Sequence, residues 1–331
     1  MNLQKEYQEL FFKFLSTKQP SEVVLHETME VLNLRKGATY KRMNGDTALT
    51  TAEMVQLAKH FNVSLDNVFQ PEKFISTFHP FWKDEGTTSV DFMDRFSLYM
   101  ATLMRDEESH MIYLANELPI FYYFSHHYIF NFLLEIWNHL HWDDTRLNIV
   151  ENKEINFKLE TFRKDITKYY SSTPITEIWN SNMLSNLYQQ IVFSISIRAF
   201  EDTKYIDNLI KDIAALIEQL RQAAFTGSRE GNEEGDLKIY LNEFGNYLNI
   251  LLYSSDNTKV GFIGYDIPQF LITSNEHFFN YSTKWINKIK KRSVLISSDG
   301  YQYRELFFLK METDFKQFQE RVEKMVSVYY N

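Results

Sequence analysis

LHETMEVLNLRKGATYKRMNGDTALTTAEMVQLAKHFNVSLDNVF, residues 25–69, alternates short apolar-faced segments with turn residues. Val24, Leu25, Thr28, Met29 and Leu32 recur at helical spacing and predict one inner helix face. Asn33-Leu34 is a very short joint, and a second helix is predicted from Lys36 to Met43. Asn44-Gly45 stops it, because glycine tolerates the positive φ that follows a helix end. Thr50-Thr51-Ala52-Glu53 has the capping-box pattern, and Met54, Leu57, Ala58 and Phe61 follow on one face. Leu65, Val68 and Phe69 supply a last turn to the same small core. Upstream, Leu3, Tyr7, Leu10, Phe11 and Phe14 predict a further helix, and Pro20-Ser21 separates it from the next.

Two short helices joined tightly within a four- to five-helix unit spanning residues 1–70 describe a helix-turn-helix domain. In such a unit the second helix enters the DNA major groove, which here assigns residues 35–44 to recognition. At about 100° per residue, Thr39 and Met43 face the core while Gly37, Lys41 and Asn44 lie opposite, with Ala38 and Tyr40 flanking. The expected DNA-binding residues are Arg35, Lys36, Tyr40, Lys41, Arg42 and Asn44. Lys41 and Asn44 suit base edges or phosphates, Arg35 and Lys36 the base-reaching end, and Arg42 a phosphate.

The same run resembles the phage-repressor-like (XRE-like) helix-turn-helix regulators of bacteria. The resemblance is strongest to a group carrying a large, uncharacterised helical C-terminal domain. Leu34, Tyr40, Lys41, Arg42, Met43, Gly45, Leu49 and Glu53 fall in that group's register, and further similarity runs through residues 111–121 and 260–265. Arg35 departs from it, standing where the family has a Ser or Thr cap. The resemblance implies a transcriptional regulator and brings no activity for the C-terminal region.

Composition extends the reading to all 331 residues, a length of about two domains at roughly 150 residues each. With only 10 Gly and 6 Pro against 28 Phe and 20 Tyr, the chain is expected to be mainly α. A linker at 71–89 and a large helical sensor or dimerisation domain at 90–331 are predicted. Helices are placed near 90–107, 127–141, 151–170, 175–198, 203–224, 275–291 and 303–328. One small β-hairpin is expected near 247–265, and residues 226–236 (TGSREGNEEGD) read as a disordered loop.

The net charge of −9 argues against nucleic acid only until it is divided. Residues 1–75 hold nine basic and nine acidic side chains, leaving 26 basic against 35 acidic beyond them. The first segment is neutral and locally basic, and the acidity lies in the rest. Zero cysteines exclude disulfides, thiolate metal sites and cysteine nucleophiles and fit a cytoplasmic location. The longest run without a charged residue, between Glu117 and Glu135, is broken by Pro119 and falls short of the ~20 apolar residues a membrane span needs.

No nucleophile elbow, P-loop or Gly-x-Gly-x-x-Gly occurs, so no enzymatic activity is expected. His126-His127 and His139-x-His141 could converge on a metal, but no His-Glu-x-x-His spacing occurs and no Asp or Glu falls between 118 and 134, so neither metal nor cofactor is expected. The basic run at 284–292 reads as a helix C-terminus favoured by the macrodipole. Phe308, Met311, Phe315, Phe318, Val322, Met325 and Tyr329 form a heptad seam, for internal packing or a homodimer. Expected partners are double-stranded DNA, a second copy of the chain, and a small-molecule or protein effector of the C-terminal domain, with no membrane. The alternative is a protein-interaction scaffold that uses the helix-turn-helix unit for docking.

Overall fold

The computed structural model describes residues 3–69, 76–81, 88–103, 108–142, 146–150, 156–229, 236–245, 247–266, 268–298 and 300–330. Two compact units divide the chain, Met1–Thr77 and Phe78–Asn331. In the first, five helices surround a small core: α1 (Leu3–Lys18), α2 (Ser21–Val31), α3 (Lys36–Met43), α4 (Thr51–His60) and α5 (Leu65–Phe69). Phe11, Phe12, Leu15, Val24, Leu49, Leu57, Ala58 and Val68 are its buried apolar cluster.

The second unit overturns the expectation of a mainly helical domain with one small hairpin. It is built on an eight-stranded mixed sheet, ordered β1-β7-β6-β5-β2-β3-β4-β8. The strands are β1 (His79–Pro80), β2 (His110–Leu114), β3 (Ile175–Trp179), β4 (Leu237–Leu241), β5 (Asn249–Ser254), β6 (Lys259–Asp266), β7 (Gln269–Thr273) and β8 (Val294–Leu295). β2, β3 and β4 run parallel and the remaining pairings are antiparallel. The expected hairpin forms as β5–β6, closed by the Ser255 N–H on the Thr258 carbonyl at 2.8 Å. It is the middle of a sheet and not an isolated ribbon.

The error has a physical source at residues 175–198, which contain β3 followed by α10 (Ser185–Ser196) and not one helix. All five residues of β3 are buried. A parallel strand covered on both faces shows no alternation, and a short buried run cannot be told from a helix by period. Of the segment read as a linker, 71–75 and 82–87 lie outside the described residues, while β1 within it pairs with β7. Residues 230–235 of the expected disordered loop also lie outside them.

Helices cover both faces of the sheet. β2 reaches β3 through α7 (Ile120–Phe124), α8 (His127–Trp137), a π-turn at Asn138–Trp142 and α9 (Asn156–Ser172). β3 reaches β4 through α10 and α11 (Thr203–Thr226), and α6 (Ser89–Leu103) and α13 (Tyr301–Tyr329) join the same layer. On the opposite face α12 (Glu276–Lys290) lays Phe279, Ile286 and Ile289 over Leu114, Ile178, Ile250 and Leu252. Gly261 leaves room there, since a Cβ at that position would stand 2.9 Å from the Phe278 ring. The heptad seam is used inside the unit: Phe308, Met311, Phe318 and Val322 are buried where α13 packs on α10 and α11. Among the described residues no helix is long and apolar enough to cross a membrane.

One carboxylate crosses the centre of this core. Glu177 on β3 is fully buried and accepts hydrogen bonds from the Tyr170 hydroxyl, the Tyr122 hydroxyl at 3.2 Å and the Trp179 indole at 2.7 Å. Burial pushes its pKa up, and these donors together with nearby Arg229 act against that push.

Glu135 on α8 has no such compensation, and desolvation raises its pKa to about 7. A carboxyl whose folded pKa lies above its unfolded value near 4.5 binds its proton more tightly when folded. Stability therefore falls as pH rises from about 4.5 to about 7 and then levels off. Glu135→Gln is expected to raise the unfolding midpoint of this unit at about pH 8 and to leave it unchanged at about pH 4. Thermal unfolding of both proteins across that range checks it; equal shifts at the two ends would refute a burial-held proton.

Candidate nucleic-acid interface

The first unit positions α3 through three helix ends that share one geometry. α2 ends at Asn33 with φ +49°, where the Leu34 N–H reaches the Met29 carbonyl at 2.9 Å. α3 ends at Gly45 with φ +71°, where the Asp46 N–H reaches the Lys41 carbonyl at 2.8 Å. α4 ends at Asn62 with φ +49°, where the Val63 N–H reaches the Ala58 carbonyl at 2.9 Å. Each is a left-handed residue closing the last turn, and it lets the chain reverse within a few residues. The α2–α3 joint is therefore only Leu32 to Arg35.

Gln8 anchors the other end of α3. Buried to 1% exposure, its amide donates to the Arg42 carbonyl and, at 2.7 Å, to the Thr47 carbonyl. Its oxygen accepts the Leu49 N–H at 3.0 Å. The α1 face toward the core is thus Gln8, Phe11, Phe12 and Leu15, and Tyr7, expected inside, is 42% exposed. The sequence signal for Gln8 was its place in an i, i+3, i+4, i+7 ladder that is otherwise apolar.

The Thr50–Glu53 capping box forms at the start of α4, with the Glu53 N–H on the Thr50 hydroxyl at 3.2 Å and the Thr50 N–H on the Glu53 carboxylate at 2.7 Å. Arg42 joins it, its guanidinium on the same carboxylate at 2.8 Å and 3.0 Å. Burial alone would raise the Glu53 pKa, but the Thr50 N–H and Arg42 outweigh it and hold the carboxyl below its usual value. With its side chain only 18% exposed, Arg42 ties α3 to α4.

The remaining expected contact residues lie on the surface. On α3, Thr39 is fully buried and Met43 packs on the core. Arg35, Lys36, Gly37, Tyr40, Lys41 and Asn44 are exposed, Tyr40 to 45%. Among the described residues, Arg35, Lys36 and Lys41 make no ion pair, and the Lys36 ammonium lies 6.0 Å from the centre of the Tyr40 ring. Arg35 occupies the N-cap without a side-chain cap, so the first N–H groups of α3 stay open to solvent. Gly37 has open space where a Cβ would stand. The unit thus offers free cations, an amide and a ring on one helix face, suited to phosphates and base edges.

Elsewhere, Lys288 and Lys290 occupy the last turn of α12, with Lys290 5.9 Å from the Tyr240 ring centre. Among the described residues no three His, Asp or Glu side chains come close enough to hold a metal. Comparison with known proteins returns no matching family model, no matching characterised protein and no matching solved structure.

Arg42→Ala and Glu53→Ala are each expected to destabilise the first unit by about 1–3 kcal/mol, since each strands a partly desolvated partner. A double-mutant cycle should show coupling between them, whereas additive losses would remove the ion pair from the account. Lys41→Ala should stay within about 0.5 kcal/mol of the parent.

Proposed function

We propose that the protein is a cytoplasmic DNA-binding transcriptional regulator. Its α3 reads the major groove, and its second unit tunes that binding. The observation that carries this reading is the division of α3 into two faces. Thr39 and Met43 are held in the core, while Arg35, Lys36 and Lys41 project beside Tyr40 and Asn44 with no ion pair among the described residues. Cations placed in water on a helix that follows a tight turn gain little within the chain and much against a polyanion. Arg35, Lys36 and Lys41 supply phosphate or guanine contacts, and Asn44 the amide suited to a base edge. Arg42 acts indirectly, by holding α3 on α4.

The test is fluorescence anisotropy on fragments that the protein selects from genomic DNA. Lys41→Ala is expected to weaken binding and to reduce the slope of log K against log salt by about 0.9, the contribution of one phosphate. Asn44→Ala should instead reduce the gap between selected and random DNA with little change in slope. A folded Arg35→Ala/Lys36→Ala/Lys41→Ala variant that binds as tightly as the parent, with the same slope, would falsify the proposal.

A further inference from the structure

α12 turns its buried side chains Phe279, Ser282, Ile286 and Ile289 toward the sheet. At about 100° per residue, Tyr281, Lys284, Lys288 and Lys291 fall on the opposite side, and all four are exposed. Lys290 reaches sideways, its ammonium 5.9 Å from the centre of the Tyr240 ring on β4. Lys238 precedes Tyr240 by two residues on the same strand and therefore shares its face of the sheet. Arg292 lies exposed in the turn that leads from α12 to β8.

Among the described residues none of Lys238, Lys284, Lys288, Lys290, Lys291 and Arg292 makes an ion pair. Glu276 is the only acid in α12; it sits in the first turn and pairs with Lys259 at 2.9 Å. Cations on α11 and α13 are used differently, Lys310 pairing with Asp314 at 2.8 Å and Arg221 with Glu305 at 3.6 Å. Half-buried His110 on β2 feels the positive field at the end of α12. Burial lowers its pKa first, and the charges of Lys290 and Lys238 lower it further.

The helix macrodipole accounts for cations in the last turn of α12, but its influence ends within that turn. Lys284 stands more than a turn before the helix ends, and Lys238 is on a strand. Lys284 and Lys288 at i, i+4, and Lys288 and Lys291 at i, i+3, are like-charged neighbours that oppose the fold. Such an array, without an acid of its own chain, is satisfied by an external polyanion. Three classes of polyanion separate on chemistry. A helix lying in a bilayer needs a free apolar face, and that of α12 is covered by Leu114, Ile178, Ile250 and Leu252. Protein interfaces are depleted in lysine. A nucleic-acid backbone favours it: helical rise sets Lys284, Lys288 and Lys291 about 4.5–6 Å apart, a row of ammonium groups suited to an evenly charged duplex.

We propose that the outer face of α12 is a second phosphate-binding surface, which holds the backbone of the same double-stranded DNA that α3 reads. This inference rests on the DNA-binding reading of α3. Lys284, Lys288 and Lys291 each neutralise a phosphate, and Lys238, Lys290 and Arg292 add to the field that draws the duplex in. Contacts of this kind carry no sequence information. α3 therefore supplies the choice of site, and α12 adds affinity of equal size on any sequence. Because the whole chain carries a net charge of −9, its attraction for DNA has to come from local arrays of this kind.

Fluorescence anisotropy of the full-length protein is read on selected and random duplexes between about 0.05 and 0.2 M salt. Lys284→Ala/Lys288→Ala/Lys291→Ala, with an unchanged unfolding midpoint, is expected to lower the slope of log K against log salt by about 2–3, or about 0.9 for each phosphate. It should weaken both duplexes by the same factor, about tenfold at the lower salt, and leave their ratio unchanged. Lys284→Arg/Lys288→Arg/Lys291→Arg, which keeps the charge, should bind like the parent. Parent affinity and slope in the alanine variant would overturn the proposal, as would a loss confined to selected DNA or one that the arginine variant shares. So would loss of binding to phosphatidylserine vesicles in the alanine variant with DNA binding unaltered. Arg35→Ala/Lys36→Ala/Lys41→Ala separates the two surfaces. If that variant binds as the parent does while the α12 alanine variant loses affinity, the reading of α3 fails and the α12 phosphate surface stands. A parent that binds neither duplex removes both.

Discussion

A carboxyl group cut off from water must take its partners from the chain, and Glu177 makes that demand at the centre of the large unit. Its three donors come from different places: Tyr122 on α7, Tyr170 in the last turn of α9, and Trp179 two residues along its own strand. Arg229 closes the arrangement. Its guanidinium lies 4.7 Å from the Tyr170 ring centre and donates to the carbonyls of Tyr170, Ser171 and Thr173 and to the Asp236 carboxylate. Those carbonyls end α9 just before β3 begins, and Asp236 immediately precedes β4. Glu177 and Arg229 together thus tie the end of α9 and the start of β4 to β3, and each of these buried side chains finds partners there. Apolar burial supplies most of the stabilisation here, but it is non-directional. The acid and its donors select which packing is adopted.

Gln8 plays the same part on a smaller scale in the first unit. An apolar side chain at its position would fill the core equally well and leave the Leu49 N–H and two carbonyls without this partner. The amide instead fastens α1 to both ends of the segment between α3 and α4, which sets the attitude of α3. In both units directional groups fix the geometry: Gln8, Arg42 and Glu53 hold α3, and Asn180 and Asn249 hold the corner after β2.

The five helices of the first unit were legible because their determinants are local. Asn33, Asn44-Gly45 and Thr50–Glu53 are signals read within four residues, and the structure places a turn or cap at each. The sheet was not legible, for two reasons. β3 is buried on both faces and carries Glu177 in its middle, so neither alternation nor polarity marks it as a strand. The inference from scarce glycine also failed, because the turns that parallel strands require use other residues. Asn180 and Asn249 make the corner bonds that hold the strand ends, and Asn33 and Asn62 take the left-handed conformation elsewhere. The corner at the carboxyl ends of β2, β3 and β4 was beyond sequence reading altogether. Asn116, Ser185 and Glu243 meet only because β2, β3 and β4 run side by side, and nothing local announces that pairing.

The charge division that first separated the two units recurs in how each uses its acids. In the first, cations on α3 stand in water while the acids nearest the core are consumed, Glu53 by Arg42 and Glu27 by His60 at 3.1 Å. The surplus positive charge on that face is local and does not require a basic domain. In the second, the Glu243 carboxylate at the carboxyl ends of the parallel strands is committed to the Ser181 N–H and hydroxyl, both at 3.0 Å, and Glu177 is spent on its three donors.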